Sequence, residues 1–410
     1  MVLSLQAVNR VEEIVARAQR EGRAPSIVAA VIRDEGRLDL TDPVGDHLPG
    51  LPPRLAGVRL RELLGMSGGL QREPDGEWWE RTPGGSLADL VAKVHDGKLA
   101  FAPHQRYHYS NLGYGLLGGV ISALTDQSWY EAVRQRILGP LGMHRTTYEA
   151  QEPYARGYVA HPFHGTLNEE PIPDTGAMAP AGQLWSTAAD LARWAAVLAS
   201  SSPPAPAQPA GGSSTLPTPK VVAEMAAPVV IADIDTWTTG YGLGLQLTRR
   251  GERVFIGHTG SMPGYLAVLS AHRPSRTGVV AFTNTYTLPH HTIGGLGMSI
   301  LEAVLDCEPA VTPPPWRPAP GPPPADVQAL CGRWWWMGRE YHLHWDAGRH
   351  HVVVVPPREG VPAWRFTAEG PDLWRGVSGE EVGELLQVRR APDGIITALD
   401  IATFIYTREP

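Results

Sequence analysis

Apolar residues recur at three- and four-residue steps from Leu5 through Val8, Val11, Ile14, Val15 and Ala18. That spacing predicts an opening helix, closed by Gly22 and Pro25. SIVAAVIRD follows the proline turn and reads as a strand, because it is rich in β-branched residues. Helical spacing returns in VRLRELL (58–64), in NLGYGLLGGVISAL from Asn111 to Leu124, and in STAADLARWAAVLAS, where Ser186 is the expected cap. From Tyr241 the texture changes. GYGLGLQLTRR, ERVFIGHTG, GYLAVLSAHR and TGVVAFTNTY are short, β-rich and separated by turn residues, which predicts adjacent antiparallel strands. Toward the C-terminus YHLHWD, HHVVVV, AWRFTAE, ELLQVRR and LDIATFIYTRE alternate apolar and polar positions, the pattern of a small barrel or sandwich.

Two composition shifts divide the 410 residues. Residues 200–219 are a low-complexity loop of Ser, Pro, Ala and Gly, and 309–326 are so proline-rich that they read as an extended linker. The expected domains are therefore 1–308 and 327–410, an α+β unit followed by an all-β one. A formal net charge of −7 with no long basic run argues against nucleic acid and anionic membrane surfaces, leaving uncharged or cationic small molecules as ligands. Only Cys307 and Cys331 are present, so unpaired thiols in a reducing compartment are expected. With no export signal and no apolar run long enough to span a bilayer, the expected location is cytoplasmic. No cofactor or metal is expected. A homo-oligomer remains open.

Three stretches carry candidate chemistry. RYHYSNLGYGLLG places Tyr109-Ser110-Asn111 at the mouth of a helix; taken alone, it is a helix-capping turn. IGHTGSMPGYLAVL places His258-Thr259-Gly260 at a strand end before Ser261; taken alone, it is a tight hairpin. EGRLDLTDPVGDHLPGLP leads into VRLRELLGMSGGL, where Gly65–Gly69 also fits the Gly-x-Ser-x-Gly elbow around Ser67. That elbow requires a strand before its serine, whereas VRLRELL is helical. His342, His344, His350 and His351 could converge on a metal through strand pairing, but alternating strand positions facing solvent explain them as well. Tryptophans 334–336 and 78–79 read as core or groove walls.

Together and in this order, the stretches resemble the serine β-lactamase and penicillin-binding-protein-like superfamily, in its class C-like, esterase and D-aminopeptidase branch. The likeness spans roughly residues 20 to 305, and AGQLWSTAADLARW and YGLGLQL belong to it. The C-terminal part is similar to a lipocalin-like domain that some members carry. The resemblance implies an antiparallel sheet flanked by helices, beside a helical subdomain, with a site in the groove between them. It implies a serine hydrolase acting on small ester, amide or D-amino acid peptide substrates. Tyr109 would be the proton-transfer phenol, Asn111 the partner of the substrate amide and His258 the head of the third motif. Thr259, Gly260 and Ser261 would bind substrate, the Ser261 N–H serving as one oxyanion donor.

The family nucleophile is a serine in Ser-x-x-Lys, and this chain has none. Its three lysines, Lys93, Lys98 and Lys220, are preceded three positions earlier by Leu90, His95 and Pro217. In one alignment SIVAAVIRD is the first strand, joined directly to the tail of the nucleophile helix at EGRLDL. In the other, Ser26 takes the serine role, with Ala29 where lysine belongs. Without the lysine, a phenol of ordinary pKa near 10 is a poor base, and loss of a central helix should open an apolar void. Three expectations follow from these facts: a hydrolase that is inactive or impaired, a non-catalytic ligand-binding homologue, or the product of a disrupted hydrolase gene.

Overall fold

The computed structural model describes residues 38–161, 163–200, 216–286, 288, 292–307 and 321–410. The N-terminal helix, the SIVAAVIRD strand with Ser26, most of the low-complexity loop and most of the linker lie outside the described residues. The chain forms two compact units, Met1–Val311 and Thr312–Pro410.

The first unit is built on a six-stranded antiparallel sheet whose strands follow chain order. These are β3 (Val230–Ile231), β4 (Thr239–Tyr241), β5 (Gln246–Arg250), β6 (Arg253–Met262), β7 (Tyr265–His272) and β8 (Thr277–Thr283). A separate hairpin pairs β1 (Tyr158–Ala160) with β2 (Leu167–Glu169). YLAVLSA is apolar without alternation because β7 is covered on both faces. Leu269 and Ala271 pack with Trp194 and Leu198 of the Ala188–Ala199 helix, while Val268 packs with Ile293, Leu296 and Ile300 of the Ile293–Cys307 helix. Strand periodicity thus sends alternate side chains into two separate cores.

A third core fills the helical side. Leu112, Leu116 and Val120 of the Asn111–Thr125 helix meet Val58, Leu60, Leu63, Leu90 and Met178. Gly118 sets the approach: a Cβ there would stand 2.1 Å from Pro180. The helix begins where the sequence predicts, with Ser110 Oγ accepting from Gly113 N at 3.0 Å. The cap of the Ala188–Ala199 helix is Thr187 and not Ser186, since Thr187 Oγ1 accepts from Asp190 N while Ser186 Oγ bonds Thr146 Oγ1.

The GYGLGLQLTRR segment divides in two. Gly242 passes so close to Met225 that a Cβ would lie 2.0 Å from its carbonyl oxygen, and Gly244 takes φ 74 in the turn between β4 and β5. Ser67 is fully buried and follows the Leu60–Leu64 helix, so the strand that an elbow requires is missing.

The second unit is an eight-stranded meander running from β9 (Gly332–Trp336) to β16 (Phe404–Tyr406), opened by a helix over Ala325–Leu330 that begins inside the stretch read as linker. Two of its strands, β9 and β13 (Leu373–Ser378), are not among those the sequence pattern predicts. The meander closes on itself: Trp335 N donates to Thr407 O at 2.8 Å and Thr407 N to Trp335 O at 2.9 Å. Trp334, Phe366, Leu386 and Tyr406 fill the interior, which makes the barrel a packed core.

Candidate functional site

All six expected site residues line one groove of about 1100 Å³. Two structural events bring them together. The first is the start of the Asn111–Thr125 helix. Ser110 Oγ, besides capping the helix, donates to Gln71 O at 2.7 Å, and Leu112 N donates to Arg72 O at 3.2 Å. The chain is thereby tied to the loop over residues 71–80, and Tyr109 and Asn111 are presented beside that loop. The second is the end of pairing between β5 and β6. Their register begins at Gln246 opposite Gly257, so from His258 onward β6 has no partner on that edge among the described strands. On its other edge β6 stays paired with β7, His258 opposite Leu269 through Met262 opposite Tyr265. The free edge of His258–Met262 is one wall of the groove.

Asn111 is held by a carboxylate. Its Nδ2 donates to Glu73 Oε1 at 2.9 Å and to Oε2 at 3.1 Å, while Trp79 Nε1 donates to Glu73 Oε2 at 2.8 Å. Because an ionised carboxylate only accepts, this contact fixes which end of the Asn111 amide faces it. The loop carrying Glu73 is anchored from beneath by Lys98, which is 2% exposed and donates to Gln71 Oε1 at 3.1 Å and Asp75 Oδ1 at 2.5 Å. Lys98 is therefore committed to that loop, and none of the three lysines lines the groove.

His258 is held on both ring nitrogens. Nδ1 donates to the Thr259 carbonyl, which leaves Nε2 to accept from the Tyr241 hydroxyl at 2.7 Å. Burial pushes its pKa below the usual histidine value, so the ring is neutral near pH 7. The rings of Tyr109 and His258 lie 6.1 Å apart, and the Arg72 guanidinium stands 5.6 Å from the centre of the Tyr109 ring. Burial nevertheless outweighs Arg72, and the Tyr109 phenol is pushed up to about 12. The phenol stays protonated at neutral pH and can donate a hydrogen bond, but it is not poised to accept a proton.

Tyr241 and Glu73 are central to this geometry, yet sequence spacing does not mark either. Tyr241, on β4, reaches His258 only through the registers of β4 on β5 and of β5 on β6, and Glu73 sits in a loop without periodicity. Ser261 is the only serine lining the groove among the described residues, since Ser67 is enclosed and Ser110 caps its helix. Inward of Tyr109 and His258 lies a smaller cavity of about 60 Å³, walled by Met66, Tyr114, Trp194, Met225 and Leu269. It has room for a small solvent cluster and is far from the volume of a helix.

Residues 26–294 match the family model described as Beta-lactamase. The chain belongs to the beta-lactamase family. Residues 323–408 match a domain of unknown function (DUF7586). Among relatives, Putative beta-lactamase-like 1 of Homo sapiens is 30% identical over 268 residues, covering 63% of this chain and 50% of that protein. The chain thus spans about half the length of that relative. Among solved structures, the octameric penicillin-binding protein homologue from Pyrococcus abyssi aligns with a TM-score of 0.55 at 17% identity, covering 99% of this chain and 88% of its own. D-amino acid amidase from Ochrobactrum anthropi SV3, complexed with D-phenylalanine, aligns with a TM-score of 0.54 at 21% identity, over 75% and 84% of the two chains. Both share the fold of this beta-lactamase family member. Among the described residues no helix is long and apolar enough to cross a membrane.

Proposed function

We propose that this chain is a ligand-binding member of the beta-lactamase family, whose groove takes small esters, amides or D-amino acid peptides without forming an acyl-enzyme at a useful rate. The observation that carries this reading is the chemistry of the groove: it has no lysine, its one serine among the described residues is Ser261, and the sequence holds no Ser-x-x-Lys. A serine hydroxyl without a neighbouring base is a poor nucleophile, and Tyr109, raised by burial, does not supply one. In this reading Tyr109 donates a hydrogen bond to the ligand. Asn111, oriented by Glu73, meets its amide, and the free β6 edge at Thr259, Gly260 and Ser261 takes the carbonyl side. His258 is a neutral, fixed wall whose proton stays on Nδ1. The substrate class rests on family membership and on the fold shared with a D-amino acid amidase. A homo-oligomer belongs to the same reading, because a structural neighbour is an octameric homologue; light scattering on the purified chain tests it.

The deciding measurement is intact-mass spectrometry after incubation with a fluorophosphonate and with penicillin. No adduct is expected, while D-phenylalanine amide binds reversibly by calorimetry. A covalent adduct on a serine sinks the proposal and restores an active hydrolase. The disrupted-gene alternative predicts a chain without a cooperative thermal transition, whereas the three cores of the first unit and the packed interior of the second predict one.

A further inference from the structure

Beside the groove lies a second cavity of about 360 Å³ that none of the expected site residues lines. Its walls are preformed. Tyr154 and Tyr265 each meet Trp185 edge-on, at 5.5 Å and 5.1 Å between ring centres. Tyr265 Oη donates to Ala155 O at 2.8 Å, and its ring packs over Gly157, where a Cβ would come within 2.4 Å. The Trp185 main chain exchanges two hydrogen bonds with Thr147, each of 2.8 Å. Pro153, Ile172, Met262 and Phe282 complete an apolar lining. Rigid aromatic walls lose little side-chain freedom when a ligand enters, which favours binding.

The polar end of the cavity is Arg145. Its Nη2 donates to the carbonyls of Pro153 at 3.1 Å and Gln151 at 3.4 Å, and among the described residues no carboxylate forms an ion pair with its guanidinium. A guanidinium fixed by backbone carbonyls, with further N–H groups to offer, is suited to a carboxylate. The one acidic residue that also lines the cavity, Glu80, is shared with the groove; burial raises its pKa, and its Oε2 accepts from Trp78 Nε1 at 2.8 Å.

We propose that this cavity is a binding subsite for a small carboxylate bearing an aromatic or branched apolar group, with the ring against Trp185 and Tyr265 and the carboxylate on Arg145. Gly182 and Met262 line both this cavity and the groove, so one ligand could extend between them, but the subsite stands on its own lining and not on the reading of the groove.

The test uses the full chain, with 3-phenylpropionate and 3-phenylpropanamide as probes in titration calorimetry and ligand-observed NMR. The acid should bind about tenfold more tightly than the amide, the preference expected of one charge-assisted contact. Arg145→Gln should bring the two to within about twofold, Arg145→Lys should retain part of the preference, and both variants should melt as the parent does. Asn111→Ala, in the groove, should leave the affinity for the acid within about twofold. Equal affinities of acid and amide for the parent, no binding at about 10 mM, or a greater loss from Asn111→Ala than from Arg145→Gln would overturn the proposal.

Discussion

His258 illustrates how a single side chain acquires its properties from its neighbours. Its Nε2 accepts from a tyrosine that is 1% exposed, its Nδ1 is spent on the next carbonyl, and burial depresses its pKa. The consequence for stability has a definite sign. The unfolded chain takes up a proton near pH 6.5 while the native ring does not, so the unfolded state gains protons first and stability falls as pH drops below about 6.5. His272, also lowered by burial, adds in the same direction. Urea titrations between about pH 7.5 and 5 should therefore show a declining midpoint, and His258→Gln should flatten part of that decline. An unchanged slope in the variant would mean that the native His258 takes up its proton as readily as the unfolded chain does. Tyr109 behaves in the same way: its identity was legible in Tyr-x-Asn, but its protonation was not, because desolvation by the surrounding groove sets it.

Among the elements, β6 and the loop over residues 72–80 supply most of the groove wall, and glycines set how closely β6 approaches its neighbour. Gly257 immediately precedes His258, and a Cβ at that position would lie 1.9 Å from the carbonyl oxygen of Leu269 on β7. Because the obstacle is backbone, it cannot rotate away. Gly257→Ala should cost about 3 kcal/mol, seen as a lower denaturation midpoint, and should weaken groove ligands by shifting the free edge of β6. A neutral outcome would mean that β6 and β7 part easily. The sequence announced these elements well where periodicity was strong, as in the Asn111–Leu124 helix and the run of strands after Tyr241. It did less well where a close approach decided the outcome. The interruption between β4 and β5 at Gly242, the cap at Thr187 and the strand β9, in a tryptophan-rich stretch without alternation, depend on what lies across from them.

The whole molecule comprises two units, each with its own hydrophobic core. The C-terminal meander brings its first and last strands together through one pair of hydrogen bonds between Trp335 and Thr407, and its interior is filled by large aromatic side chains. Residues 321–410 expressed alone should consequently unfold cooperatively and keep dispersed amide NMR signals; a collapsed spectrum would show that the barrel needs the rest of the chain. Net charge offered a different lesson. A formal charge of −7 points away from anionic ligands for the molecule at large, yet the Arg145 cavity presents a cation locally, and binding is governed by the field at the site.

By itself, the sequence determined the family, the α+β unit with its all-β companion, the two groove motifs and the lack of Ser-x-x-Lys, because each of these is written in local order and spacing. Only the tertiary structure decided that six residues from two distant segments share one groove, that Glu73 and Tyr241 orient Asn111 and His258, that Lys98 is spent on a loop, and that burial keeps the Tyr109 phenol protonated. Those facts depend on strand register, close approach and desolvation, and each arises between residues far apart in the chain.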